Sequence, residues 1–329
     1  MTLSVKPVHL YRAGFAITCL FLLPYFLSSY YVFVATRIII IGILVMALNL
    51  VFGHAGLPSL GHAAFFGLGG YSVALGLMEW SWGFGTVIIA ACGTGFLLGT
   101  LVGILTSRTE GIYLLLLTLA VGQGFWALAF QLNITRGDNG IAGISRESLP
   151  FGISSTNAYY HFVLGISLVV MFCLWIGLKS PAGRTLIGAR ESKSRMEALG
   201  YRVWVYRTGA FAISGLISAL AGVLLVYLQG IASPEMLSWT LSAEILVMAI
   251  IGGAETFIGP VLGTLVVVVL EEFVSSVTER WMTVLGLVFI CTMIVLPTGL
   301  TGLISRIKQA RLRTTSDTSS GLVANRIPD

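Results

Sequence analysis

The chain has 329 residues, of which 56% are hydrophobic and only 10% are charged, with a mean hydropathy of +0.93 and a formal net charge of +5. A soluble domain of this size needs far more charge to cover its surface, so the composition excludes a soluble enzyme and predicts an integral membrane protein. Most basic residues lie in a few loops beside apolar segments, where they set the orientation in the membrane, and no nucleic-acid partner is expected.

Apolar runs near the ~20 residues that cross a bilayer recur along the chain, which predicts an all-α, polytopic membrane protein with about 8–10 transmembrane helices. Two short apolar pieces are broken or re-entrant candidates, at 241–252 and 258–270. They either both cross, which gives ten spans, or form a hairpin on the outer side, which gives eight. The other predicted spans are 13–34, 38–52, 60–78, 84–105, 112–130, 159–178, 208–228 and 281–297.

The loop 179–207 contains seven Lys or Arg and is therefore predicted to be cytoplasmic. Parity then places both termini in the cytoplasm as well. On this layout 15 of the 19 basic residues are cytoplasmic, and the four outer ones are Arg37, Arg136, Arg146 and Arg280. The predicted organisation is one transmembrane domain, residues 1–303, followed by a cytoplasmic, disordered tail, residues 304–329.

Two histidines stand in the glycine-rich stretch "GHAGLPSLGHAAFFGLGGY" of residues 53–71. His54 and His62 are too few ligands for a metal, so no metal site is expected, and His62 is interpreted as a hydrogen-bonding partner. The chain also lacks a phosphate-binding loop and a catalytic constellation. It is therefore predicted to be no enzyme and to carry no cofactor. Gly95, Gly99 and Gly103, spaced by four, predict a close helix approach without a ligand.

Two further segments carry charge near the membrane. Helix-forming residues from Ala189 to Leu199, followed by Gly200, predict one short helix on the cytoplasmic face. Glu244 in "SAEILVMAIIGG" is expected to face the protein interior or an aqueous path, because an ionised group facing lipid costs several kcal/mol. A buried structural hydrogen bond and a role in translocation both stay open for it. Glu271 and Glu272 are expected to be solvated at the outer end.

Three motifs in this order carry a family resemblance: "SLGHAAFFGLGGYSVAL", "ARESKSRMEALG" and "SPEMLSWTLSAEILVMAIIGGAETFIGPVLG". Over about residues 38 to 303, the chain resembles the membrane subunit of Liv-type ABC importers, which take up branched-chain amino acids. The resemblance implies the fold of an ABC importer permease. It also covers permeases for urea, short amides and other small polar solutes, so these cargoes remain the alternative. An ion-coupled secondary transporter is the alternative from another class.

The resemblance also implies roles for residues. The family's cytoplasmic "EAA" loop, which docks into a groove on the ATPase subunit, is matched by Ala189, Arg190, Glu191, Glu197, Ala198 and Gly200. Residues of two family signatures, together with Glu244, are the candidates for the translocation path: Ser59, Gly61, His62, Phe65, Gly67, Gly69, Tyr71, Gly252, Gly253, Gly259 and Pro260. The second signature departs from the family at Glu255 and Thr256, where Gly or Ser is more usual.

The resemblance finally implies partners and a location. The expected complex has two permease subunits, often paralogues, and two ATPase subunits in the cytoplasm that bind the ATP. A soluble binding protein is expected to deliver substrate outside, at the loop 131–158 and the turn 229–234. The location would be the bacterial or archaeal plasma membrane, with lipid around the helices.

Overall fold

The computed structural model describes residues 7–146, 149, 152–278, 280–295 and 299–302, so the predicted tail 304–329 lies outside the described residues. The predicted all-α architecture is confirmed. The helices are α1 Pro7–Phe26, α2 Ser29–Asn49 with a π-helical extension Leu50–His54, α3 His62–Met78, α4 Phe84–Thr106, α5 Ile112–Gln131, α6 Thr156–Lys179, α7 Pro181–Glu191, α8 Lys193–Ala198, α9 Val203–Gln229, α10 Trp239–Gly252, α11 Gly259–Ser275 and α12 Trp281–Val295.

Five helices are long and apolar enough to cross a membrane, judged within the described residues: Ser29–His54, Phe84–Thr106, Ile112–Gln131, Thr156–Lys179 and Val203–Gln229. The central one is α9, since 83% of an 18-residue stretch of it is buried. Helix α4 runs antiparallel to α9 and approaches it closely. A Cβ on Gly95, Gly99 or Gly103 would overlap backbone atoms of α9, so the predicted close helix approach is confirmed.

The bundle has two distinct ends. One end carries α7 and α8 between α6 and α9, and we call it the loop end. The other end carries a two-residue antiparallel pair, β1 Ile141–Ala142 with β2 Ile231–Ala232, and we call it the sheet end. There Arg146 donates from Nε to the Tyr227 carbonyl at 2.9 Å and from Nη2 to the Leu228 carbonyl at 2.8 Å. These bonds cap the C-terminus of α9 and fix the loop 131–158 against it.

The first two helices differ from the prediction. The chain turns at Leu27 and Ser28 rather than near residue 36, and α2 then continues without interruption. Pro24 inside α1 lacks the N–H that would extend the helix ladder. Arg37 therefore lies within α2 and not in an outer loop. The Arg37 charge can lie inside the helix rather than in a solvated loop, because Nη2 of Arg37 lies 2.9 Å from Oε1 of Glu271 in α11.

The predicted single helix over 189–199 is also wrong, because two helices meet at Ser192. The Ser192 side chain accepts the Arg195 N–H at 3.4 Å and starts α8, while Ser180 accepts the Gly183 N–H and starts α7. The predicted stop at Gly200 is confirmed by its φ of 87°, which a glycine adopts without strain. Helix α9 starts at Val203, five residues before the predicted span.

Candidate translocation site

Helix α3 begins deep in the bundle rather than at its loop end. His62, the first residue of α3, contacts Ser214 in α9, which lies eleven residues after Val203 at the start of α9. At 1.5 Å per residue this offset is about 16 Å, roughly half the thickness of a bilayer core. The segment 55–61 between α2 and α3 therefore runs through the bundle without helical structure, and we call it the first break.

The His62 side chain is fully buried and both of its ring nitrogens are engaged. The Ser214 hydroxyl donates to the Ala47 carbonyl at 2.6 Å, so Ser214 Oγ accepts from His62 Nε2 at 2.8 Å. Nδ1 of His62 must then accept from the Ser59 hydroxyl, at 2.9 Å. This chain of bonds fixes one neutral tautomer and links α2, α3 and α9. The predicted hydrogen-bonding role of His62 agrees with this geometry.

Side chains from two more helices satisfy backbone groups of the first break and of the start of α3. The Leu60 N–H donates to Thr118 Oγ1 of α5 at 3.1 Å, and the Ala63 N–H donates to Ser242 Oγ of α10 at 3.0 Å. The Gly61 N–H donates to Ser59 Oγ at 3.3 Å. Because irregular backbone at membrane depth needs internal partners, these hydroxyls make the break possible.

Helix α10 also begins at this depth, since Ser242 in its first turns contacts Ala63. The preceding 3₁₀ turn Pro234–Leu237 packs along α3, with Met236 against Gly70 and Leu237 against Gly67. With 14 residues, α10 is about 21 Å long and covers only part of a bilayer core. The chain after α9 thus returns from the sheet end first as coil and then as a short helix.

The turn 253–258 between α10 and α11 reaches the loop end, and we call it the second break. Glycines let its two helices meet closely, because a Cβ on Gly252 or Gly263 would overlap backbone of the other helix. Thr256 closes the turn: its hydroxyl donates to the Gly253 carbonyl at 2.9 Å and accepts the Gly259 N–H at 3.1 Å. Gly253 has a φ of 104°. Because this turn reaches the loop end, α10 with the coil before it and α11 each extend towards that end, as the alternative with two crossings expects.

Arg190 in α7 joins the loop end to both breaks. Its Nη1 donates to the carbonyl of Gly53, just before the first break, at 2.6 Å. Its Nη2 pairs with the carboxylate of Glu255 in the second break. Asn49 adds a direct link, since its Nδ2 donates to the Thr256 carbonyl at 3.2 Å. The departure from the family pattern at Glu255 thus supplies a partner for Arg190.

A second charged group holds α8 in place. Glu110, in the turn between α4 and α5, accepts from Arg207 at 3.0 Å and lies 3.1 Å from the Lys193 ammonium. The hydrogen bonds from Arg207 and then Lys193 lower the pKa of the Glu110 carboxyl below its ordinary value. The start of α9, the start of α8 and the α4–α5 turn are therefore tied by charge at the loop end.

The structure brings some of the predicted site residues together and separates others. Ser59, Gly61, His62 and Phe65 are buried among α3, α5, α9 and α10, whereas Gly252, Gly253, Gly259 and Pro260 lie in or beside the second break. Gly67 contacts Leu237, Gly69 packs on the Ala219 backbone, and Tyr71 is buried in α3. Their roles in a translocation path stay predictions.

The remaining candidates lie at the surface or between elements. Glu244 is partly exposed on α10, two residues after the buried Ser242. In the proposed docking element, Ala189 is buried and Arg190 is bonded inward, while Glu191, Glu197, Ala198 and Gly200 are exposed. Across the described part of the chain, no three His, Cys, Asp or Glu side chains converge as a metal site would require.

Sequence reasoning missed the residues that serve the first break from other helices. Ser214, Ser242 and Thr118 are single hydroxyls in apolar helices, and only their polarity in such a setting could have drawn attention to them. It also missed the ion pair of Arg37 with Glu271, whose side chain is only 12% exposed rather than solvated. Glu272 accepts from Tyr30 beside this pair.

Comparisons with known proteins agree with this architecture. The family described as "Branched-chain amino acid transport system / permease component" matches residues 30–293. The high-affinity branched-chain amino acid transport system permease protein LivM of Escherichia coli is 30% identical over 307 residues, which cover 84% of this chain and 71% of that protein. No solved structure matches significantly.

Two different permeases of one archaeon are also similar to the chain. The probable branched-chain amino acid transport permease proteins LivM and LivH of Methanocaldococcus jannaschii are 25% and 24% identical to it. These matches cover 74% and 79% of this chain, and 81% and 88% of the two relatives. With a family match over most of its length and the LivM likeness above, this multi-pass plasma-membrane protein belongs to the family of branched-chain amino acid ABC transporter permease components.

Proposed function

We propose that this chain, together with a second permease subunit, forms the path of an ATP-driven importer for branched-chain or similar amino acids. The permease family makes the chain a transport subunit, and hydrolysis of ATP is assigned to two separate ATPase subunits. The proposed orientation places the loop end and both termini in the cytoplasm. The sheet end, with the loop 131–158, then faces the soluble protein that delivers the substrate.

The Arg190 junction carries this proposal. An importer must transmit movement of its ATPases to the membrane path, and transmission needs a rigid element with contacts at both places. Helices α7 and α8, with the turn after α8, present Glu191, Glu197 and Gly200 outward, while Arg190 near the end of α7 contacts both breaks through Gly53 and Glu255. A shift of α7 would therefore displace the first and the second break together.

The ion-coupled alternative requires ionisable groups inside the bundle, and the Arg37–Glu271 pair is such a group. Arg37 lies eight residues after Ser29 at the start of α2, which is about 12 Å from the sheet end. The pair joins α2 to α11 without contacting either break in the described residues. The Arg37–Glu271 pair is explained by the packing of α2 on α11. It therefore gives no specific support to an ion-coupled transporter.

The test compares uptake with ATP hydrolysis in the complete complex reconstituted in liposomes. We expect Arg190→Ala to reduce leucine uptake at least about tenfold while ATP hydrolysis continues, because the ATPases would turn over without moving the breaks. The double change Glu197→Ala, Gly200→Ala should instead reduce the stimulation of ATP hydrolysis that the ATPase subunits receive from the permease, since these two residues face the ATPase subunits. Cys173→Ala, a change at an exposed position of α6, is the control and should leave both activities unchanged.

Each assignment has a separate contradicting result. Full leucine uptake by Arg190→Ala would remove the junction from the coupling mechanism. Unchanged ATPase stimulation in the Glu197 and Gly200 double variant would contradict docking at α8. If the intact complex carried urea or a short amide instead of leucine, the importer assignment would stand and the cargo assignment would fail.

A further inference from the structure

Among the five helices of spanning length in the described residues, α5 is the one that this chain covers least. Only 22% of an 18-residue stretch of α5 is buried, against 83% for α9. Its buried positions, Leu114, Thr118, Gly122 and Ala129, lie on the face that packs on α3 and the first break. The opposite face is left open by the described part of the chain.

The open face of α5 has an unusual composition for contact with lipid. At helical spacing it presents Leu116, Ala120, Gln123, Gly124 and Ala127, all at least partly exposed. Other open faces carry large apolar side chains, as lipid contact requires: α6 exposes Val169, Phe172 and Ile176, and α4 exposes Phe96, Leu97, Leu101 and Ile104. The middle of α5 alone among these three helices combines small residues with an amide.

Gln123 is the group that calls for a partner. Its amide makes no hydrogen bond within the described residues, although it lies near the middle of a helix of spanning length. An amide that faces hydrocarbon without a partner costs free energy, whereas an amide between packed helices bonds across the interface. Small residues beside it, here Ala120 and Gly124, let a second helix approach closely enough for that bond.

A groove beside this face has room for side chains of such a helix. It lies between α4 and α5, has a volume of about 410 Å³, and its polar lining is negligible. Gly124 contributes to its floor together with Leu101, Leu105, Val121 and Leu128. Apart from its two chain neighbours and the nearby backbone of α5 itself, no atom of the described chain comes within 4 Å of a Cβ built on Gly124, so the floor is open to a partner.

We propose that the α5 face formed by Leu116, Ala120, Gln123, Gly124 and Ala127 is the docking surface for a transmembrane helix of the second, paralogous permease subunit. That helix would offer a polar group to the Gln123 amide and apolar side chains to the α4–α5 groove. The proposal rests on the proposed function, which requires two permease subunits, and the likeness to both LivM and LivH of one organism supports a paralogue as the partner. Because Gly122 and Thr118 on the other face of α5 touch the first break, the interface would lie one helix away from it.

Photo-crosslinking in the co-expressed complete complex tests the surface. p-Benzoylphenylalanine replaces Leu116 on α5 or, as a matched control, Phe172 on α6; the two side chains are 55% and 61% exposed. We expect an adduct with the second permease subunit from position 116 and none from position 172. An adduct from 172 alone, an adduct between two copies of this chain, or attachment to lipid alone from 116 would overturn the proposal.

Two further variants test the contacts by co-purification. Gly124→Leu should strongly reduce the amount of second permease bound, whereas Gly165→Leu on α6, which likewise has open space around it, should not. Gln123→Leu should reduce the amount of second permease bound by about threefold, which corresponds to the usual free energy of one interhelical hydrogen bond. Equal retention in all variants would overturn the proposal. If position 116 gave the adduct but the complex did not take up leucine, the proposed transport function would be contradicted and the α5 docking surface would still be supported.

Discussion

The two breaks in this molecule look alike in sequence but are held in different ways. Both follow an apolar helix and combine glycine with a proline, Pro58 in the first break and Pro260 just after the second. The first break and the start of α3 find their partners in other helices, through Ser214, Ser242 and Thr118. The second break closes on itself through Thr256 and two nearby glycines. Long-range bonds make the first break a junction of the bundle, whereas the second is a local turn attached by Arg190.

Removing the His62 side chain, which anchors the end of the first break, should have the largest effect. His62→Ala leaves Ser59 and Ser214 without their partner and opens a cavity, which together should cost about 2–3 kcal/mol in the free energy of unfolding. Denaturation of the purified protein in detergent measures this loss, and leucine uptake should fall without any response to added metal. His161→Ala on α6 is the comparison: this histidine is partly exposed, its ring nitrogens contact only the backbone carbonyls of Asn157 and Phe21, and its loss should cost less. Equal losses in the two variants would contradict the role of His62 as the anchor of the first break.

A change in the second break should act through backbone strain at Gly253. Gly253→Ala places a side chain at a φ of 104° and should cost about 1–3 kcal/mol. Gly93→Ala in α4, where a Cβ meets no atom within 4 Å, should be neutral or slightly stabilising. Unfolding of both variants in the same detergent gives the comparison. If Gly253→Ala matched Gly93→Ala, the turn would be less constrained than its geometry indicates.

The smallest effect concerns the charged contacts beside the breaks and depends on pH. Because the folded-state pKa of Glu110 is lowered, its contribution to stability is full above the unfolded-state pKa and is lost as the pH falls through the folded-state value. Glu110→Gln should therefore be less stable than the parent at neutral pH and equally stable in strong acid. Because Glu110 is more than half exposed, the difference should be small. A gap that stayed constant from neutral to acid pH would exclude this ion pair as its source.

Much of the fold followed from hydrophobic pattern. The predicted spans 84–105, 112–130 and 159–178 lie within a few residues of α4, α5 and α6, because each is one uninterrupted apolar run between polar loops. The predicted loop between the spans 13–34 and 38–52 was wrong. A charge such as Arg37 in an apolar run suggests a loop as long as no oppositely charged partner is known. The partner, Glu271, lies 234 residues further along the chain.

The candidate site was predicted only in part, because its local motifs are recognisable in the sequence but its long-range partners are not. Glycine spacing and the family signatures pointed to both breaks and to the loop 179–207, but the residues that join them were not recognisable. Arg190 was selected from the docking motif, whereas its bonds to Gly53 and Glu255 depend on how α7 lies against the bundle. The single predicted helix of that loop failed because Ser192 caps a new one.

By itself, the sequence determined that the chain lies in a membrane, how most helices are bounded and to which family it belongs. These properties depend on hydrophobicity, glycine spacing and local motifs, all of which are read within a short window. Only the tertiary structure decided that α3 and α10 begin deep in the bundle and which hydroxyls support them. Backbone without helical bonds must find partners inside the protein at that depth, and those partners come from distant helices.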